Sequence, residues 1–230
     1  MDYFSEALRR ALELILSGDP ELLIIVATSL KVSLTAVLLA ALPSIGLGLL
    51  LGVTDFPGKR LARHLLGTLM AMPTVVIGLL LYGLLSRSGP LGGWNWLYTP
   101  KAMILGEAIL ITPLLIHWIS SSAVQLDPRL LPTLMSLGAS FFQRLLWVVR
   151  ELKFSILAAF VAAFGRAIGE VGAAMMLGGN IAGWTRTMTT AIALETSKGE
   201  FELGLALGIV LLVVAFLVNG IVIWLRGEAL

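Results

Sequence analysis

Arg166 and Glu170 stand four positions apart in an otherwise apolar stretch, so in a helix the guanidinium and the carboxylate share one face. Charges at membrane depth are costly alone and are normally paired, buried against protein or set in a wet cavity. Two readings fit: a polar element beside a transport pathway, or an intramembrane ion pair that staples helices together. Arg with Glu is a poor acid–base couple, so no catalytic role is expected for either. Further along, Asn180, Thr185, Arg186 and Thr187 follow the glycines Gly178 and Gly179. An oxyanion asks for hydrogen-bond donors and a compensating cation, and a glycine-rich turn with these side chains supplies both. They are candidates for a substrate pathway; the alternative is an external loop that meets a binding protein or closes a helix pair. Glu107 fits a polar contact inside a bundle, and Lys31 a side chain that reaches to an interface.

Other chemistry is poorly provided for. His64 and His117 lie too far apart in sequence for a helical ligand pair, and cysteine is absent, so no metal site is expected. No Gly-x-x-x-x-Gly-Lys-Ser/Thr phosphate loop occurs, so the chain has no means of its own to hydrolyse ATP. The net charge of +2 comes without a dense basic cluster, which argues against nucleic acid.

The elements that would hold these residues follow from composition. Hydrophobic residues make up 58% of the chain and charged residues 13%, with a mean hydropathy of +0.96. Soluble domains carry about 25% charged residues, so lipid is the natural solvent. Spanning a hydrocarbon core takes about 20 apolar residues in a helix. Residues 32–54, 65–86 and 203–225 are uncharged throughout, while 102–126 contains Glu107 and His117, and 154–177 contains Arg166 and Glu170. The expectation is an all-α membrane protein with about five transmembrane helices, at 22–54, 65–86, 102–124, 153–177 and 203–225. Residues 1–20 read as an N-terminal amphipathic segment lying at the interface before the Gly18-Asp19-Pro20 break, and 21–230 as one transmembrane domain. The beginning of the chain does not read as a cleaved signal.

The connector 125–152 is the longest and has a helical pattern. Asp127-Pro128 suits a helix start, a short amphipathic helix follows, and a second runs on beyond Ser136-Leu137-Gly138-Ala139-Ser140. Placing this elbow inside gathers Lys59, Arg60, Arg63, Arg129, Arg144, Arg150, Lys153 and Arg226 on the inner side. That leaves the smaller group of Arg9, Arg10, Arg87, Lys101, Arg186 and Lys198 outside.

Leu137-Gly138-Ala139-Ser140, with Val148 after it, resembles the EAA loop of type-I ABC importer permeases. Pro132-Thr133-Leu134 stands where that family has Glu-Ala-Ala, and Arg150-Glu151 where it has Leu-Pro. A second block, Gly165-Arg166-Ala167-Ile168-Gly169-Glu170-Val171-Gly172-Ala173 with Gly178-Gly179-Asn180-Ile181 and Thr185-Arg186-Thr187, resembles the molybdate and tungstate branch. So does Met72-Pro73-Thr74-Val75-Val76-Ile77-Gly78-Leu79, and residues 193–201 look most like the tungstate type.

The resemblance implies the type-I importer permease fold and a homodimeric subunit of an importer for a tetrahedral oxyanion, tungstate or molybdate, in a prokaryotic inner membrane. The N-terminus would be outside and the C-terminus cytoplasmic. Pro132, Thr133, Leu134, Leu137, Gly138, Ala139 and Ser140 would form the coupling helix that docks a cytosolic ATPase. ATP and Mg2+ would be bound by that partner, with no cofactor in this chain, and an external binding protein would deliver the cargo. Sulfate or another anion stays open as cargo. A passive channel would need a ring of polar residues, and an intramembrane enzyme a convergent set of ionisable groups; neither stands out.

Overall fold

The structure is a computed structural model describing residues 3–226, so the outermost residues of the two expected segments, 1–2 and 227–230, lie outside it. All regular structure among the described residues is helical. Helix α1 (Tyr3–Ser17) ends where Gly18 takes a left-handed φ of 66°. Asp19 then caps α2 (Pro20–Val53), its carboxylate accepting from the Leu22 N–H at 2.9 Å. At 1.5 Å per residue α2 is about 51 Å long, more than a membrane core needs. The apolar side of α1 does not face lipid alone: Ala7 and Ala11 are buried where α1 packs on α11 (Phe201–Arg226), and Arg10 bonds Glu202 at 2.8 Å.

Three helices, α2, α5 (Pro100–Val124) and α11, are long and apolar enough to cross a membrane unaided. Two of the stretches expected as spans are broken. Residues 65–86 divide into α3 (Lys59–Met70) and α4 (Thr74–Leu85), which turn through 92°. Pro73 is the cause: its ring disfavours helical backbone at Met72, and it caps α4 from outside instead of lying within a continuous span. Helix α3 carries Arg60, Arg63 and His64 among its leucines, as a helix lying across the others at an interface would. Residues 153–177 likewise divide into α8 (Lys153–Ile168) and α9 (Gly172–Gly178), bent by 63° around Glu170. Counting each bent pair as one span gives up to five.

Between them lie α6 (Leu130–Ser136) and α7 (Phe141–Glu151), then α10 (Met188–Lys198). The polar composition of residues 178–202 suggests a surface connector, yet Met188, Thr190, Ala191 and Glu195 of α10 are buried. Helices α2 and α5 form the central pair. A Cβ on Gly48 would come within 2.8 Å of Ile119 Cβ, and one on Gly52 would collide with Ala123, so both positions need the missing side chain for the helices to approach. At the other end of α2 the Met188 N–H donates to the buried Ser29 Oγ at 2.7 Å, giving an otherwise orphaned first-turn donor its partner.

Candidate functional site

The expected site residues fall into three groups, spread along the central helix pair. The elbow lies at the C-terminal end of α5. The Asp127 carboxylate accepts from the Arg129 N–H at 2.8 Å and starts the turn into α6. At its exit Gly138 adopts φ 74°, the Gly138 N–H donates to Met135 O at 3.0 Å, and the Ala139 N–H donates to Leu134 O at 2.9 Å. These two bonds are the Schellman closure that a left-handed glycine permits. Ser140 then caps α7 reciprocally: its N–H donates to Gln143 Oε1 at 2.7 Å, while its Oγ accepts from the Gln143 N–H at 3.4 Å. That box was readable as Ser-x-x-Gln, and it holds both arms at a fixed angle. Pro132, Thr133, Gly138 and Ser140 are exposed, and Leu134 and Ala139 half-buried. Leu137 is 77% exposed and Phe142 79%. Behind them an apolar groove of about 430 Å3 runs between α6, α7 and the end of α2, lined by Leu50, Val53, Leu131, Met135, Phe141 and Leu145.

The glycine-rich turn lies at the opposite end. Its side chains are largely committed to the fold. Thr185 Oγ1 donates to Gly178 O at 2.6 Å and accepts from the Ile181 N–H at 3.0 Å. Thr187 caps α10 with Thr190 as its reciprocal partner, and Asn180 Nδ2 donates to Thr190 O at 3.3 Å. Arg186, 14% exposed, reaches the first turn of α2 and pairs with Glu21 at 3.1 Å. Two polar atoms in this turn, Arg186 Nε and Asn180 Oδ1, are buried without a protein partner. The four residues therefore share one turn, but their donors do not converge on a common point through the hydroxyls.

Between the two ends, Arg166 Nη1 lies 2.9 Å from Glu170 Oε2 across the α8–α9 break. The carboxylate is 3% exposed, the guanidinium 42%, so the pair has one buried member and one facing outward. Glu170 Oε1 also accepts from the Ala173 N–H at 3.1 Å, satisfying a first-turn donor of α9. Glu107 is buried in α5, with Oε2 unpartnered. Sequence reasoning noted His117 inside the span but passed over Ser121 and Gln125, which α5 turns outward with it; the signal was there in polar residues recurring every four positions of an apolar helix.

Known proteins resemble the chain throughout. Residues 44–226 match the family described as binding-protein-dependent transport system inner membrane component. A tungstate uptake system permease protein, TupB, of Peptoclostridium acidaminophilum is 41% identical over 228 residues, covering 99% of this chain and 100% of the relative. The TupB of Campylobacter jejuni is 39% identical, covering 95% of this chain and 92% of its own length. The molybdenum transport system permease protein ModB of Escherichia coli K12 is 31% identical, covering 76% and 81%.

Proposed function

The chain belongs to the family of binding-protein-dependent transport system inner membrane components, and on that footing we propose that it is the membrane-spanning subunit of an ATP-driven tungstate importer. The observation that carries the cargo is the near end-to-end identity of 41% with a tungstate uptake permease, against 31% over a shorter stretch with a molybdenum permease. Residues 1–20 are the amphipathic N-terminal segment and 21–230 the spanning domain. Two copies pair around a central route in a prokaryotic inner membrane, with the N-terminal end outside and the elbow in the cytosol. An external binding protein delivers the dianion to the outer mouth. ATP and Mg2+ are bound by a separate cytosolic ABC ATPase.

Pro132, Thr133, Leu134, Leu137, Gly138, Ala139 and Ser140 form the tip that the ATPase grips. Support comes from the bare apolar side chains at this tip, carried on a doubly capped turn: a contiguous apolar surface of this kind marks an interaction site. When ATP draws the two ATPases together, the elbows follow and the spans move as rigid bodies. At the other mouth, Asn180, Thr185, Arg186 and Thr187 shape the entrance, where Arg186 brings the cation and its unpartnered Nε a donor. Arg166 and Glu170 brace the α8–α9 break between the two mouths.

The deciding experiment is uptake of radiolabelled tungstate into proteoliposomes holding the complete complex, with ATP inside and binding protein outside. Nucleotide-dependent accumulation, competed by molybdate more strongly than by sulfate, is expected. Accumulation that persists without nucleotide would mean a passive channel. Chemical conversion of the anion without the ATPase would mean an enzyme, and preferential sulfate uptake would reassign the cargo.

A further inference from the structure

A polar strip runs down one face of α5, and nothing in the fold accounts for it. Leu110, Leu114, His117, Ser121 and Gln125 recur in steps of three and four, and so lie on one face over about 22 Å. Three clefts follow one another along it. The smallest, about 30 Å3, is lined by Met70, Met72, Leu110 and Leu114, together with Arg166. The second, about 400 Å3 towards the elbow end, is lined by Arg63 of α3 with His117, Ser120, Ser121 and Gln125 of α5. The third, about 310 Å3, continues from Ser121, Ser122 and Gln125 across to Ser155 and Ala162 of α8.

Lipid is a poor neighbour for this surface. His117 stands about 10 Å inside the end of α5, and among the described residues neither it nor Arg63 has a hydrogen-bond or ion-pair partner. An exposed, unpartnered imidazole at such depth belongs in a water-filled passage, and Arg63, on the interface-lying α3, borders the same cleft. The sign of the lining is also one-sided. Arg63 and His117 border the second cleft, Arg166, paired with Glu170, stands at the first, the third is lined by hydroxyls and an amide, and no aspartate or glutamate lines any of them. A cleft with cationic and hydroxyl lining concentrates anions, and a ring of apolar side chains above it closes by excluding water.

We propose that this α5 face, flanked by α3 and α8, is the chain's wall of the exit half of the anion route, with Arg63, His117, Ser121 and Gln125 as a low-affinity station for the oxyanion below a Met70–Met72–Leu114 constriction. The inference rests on the importer reading and assigns residues to it. A second copy supplies the facing wall. Hydroxyl, amide and spaced cations, with no cluster of fixed donors, suit a site that must release its cargo.

The chain contains no cysteine, so Ser121→Cys and, separately, Ala162→Cys each introduce a single thiol. Leu38→Cys, on an exposed apolar face of α2, serves as the lipid-side control. In the complete complex in inside-out vesicles, a membrane-impermeant charged methanethiosulfonate should modify S121C and A162C at least about tenfold faster than L38C. In proteoliposomes, modified S121C should lose most tungstate uptake, and Arg63→Gln or His117→Gln should each lower maximal uptake about tenfold while the ATPase still co-purifies. If the unmodified complex imports tungstate but S121C and A162C react no faster than L38C, or react without loss of uptake, the wall lies elsewhere and this proposal falls alone. If the unmodified complex imports no oxyanion, the importer reading falls and takes the proposal with it.

Discussion

Gly138 separates backbone strain from docking in a way that can be measured. Its φ of 74° lies in the left-handed region, and an added Cβ would meet nothing within 4 Å. Gly138→Ala therefore introduces no clash in the isolated chain, only the left-handed penalty of about 1–2 kcal/mol. Asparagine tolerates this region better, so Gly138→Asn should carry only part of the penalty. The exposed tip can relieve the strain by opening the two Schellman bonds, because its contacts are few. Once an ATPase grips the elbow that relief is lost, and the penalty is charged to docking. An affinity loss of about 5- to 30-fold follows for Ala, a smaller one for Asn, and a much larger one for a bulky residue such as Val that also enters the interface. The assay is titration of the ATPase against detergent-solubilised chain, beside thermal unfolding of each variant, which should not shift. Ala binding as tightly as wild type, or Asn worse than Ala, would refute the reasoning that the left-handed turn is part of the docked shape.

Other substitutions probe the bundle and its outer mouth. Arg166→Ala strands the buried Glu170 carboxylate and should destabilise the chain by about 1–3 kcal/mol, less than for a fully buried pair because Arg166 is partly exposed. Adding Glu170→Ala should restore part of that loss, and additive losses in thermal unfolding would mean the two are not partners. Ser29→Ala removes the acceptor of the buried Met188 N–H and should lower stability by about 1–3 kcal/mol; an unchanged unfolding temperature would mean that water takes its place. Glu21→Ala strands the largely buried Arg186 and should lower stability by about 1–3 kcal/mol, whereas Arg186→Ala leaves only the exposed Glu21 unpaired and should cost less than about 1 kcal/mol. Only Arg186→Ala should reduce tungstate uptake, and equal uptake in both variants would remove Arg186 from the route.

Composition and charge-free runs were enough to read the solvent and the three unbroken apolar helices, because lipid imposes a length and an apolar face that few other environments demand. The family was legible in the glycine and polar positions of residues 165–187, and the elbow in Asp127-Pro128 and Leu137-Gly138. Hydropathy could not report direction. The stretch 65–86 is uncharged from end to end, yet Pro73 turns its two halves almost perpendicular, and only the proline's effect on Met72 could have signalled the break. Residues 178–202 failed the opposite way: Thr187, Thr190 and Glu195 look like surface residues, but capping and an ion pair to Lys198 let α10 be buried. The α5 strip was masked because a span scan averages His117, Ser121 and Gln125 with the leucines around them.

The glycines at 48 and 52 have a mechanical effect beyond allowing two helices to touch. With backbone against backbone, α2 and α5 bend as a single thick beam, far stiffer than either rod alone. One end of that beam carries the root of the elbow, and the other holds Ser29 and Glu21 against the turn that bears Arg186. A displacement of the elbow would therefore reach the turn that bears Arg186 as tilt. Widening the seam at Gly52, one residue before α2 ends, would loosen the beam at its elbow end.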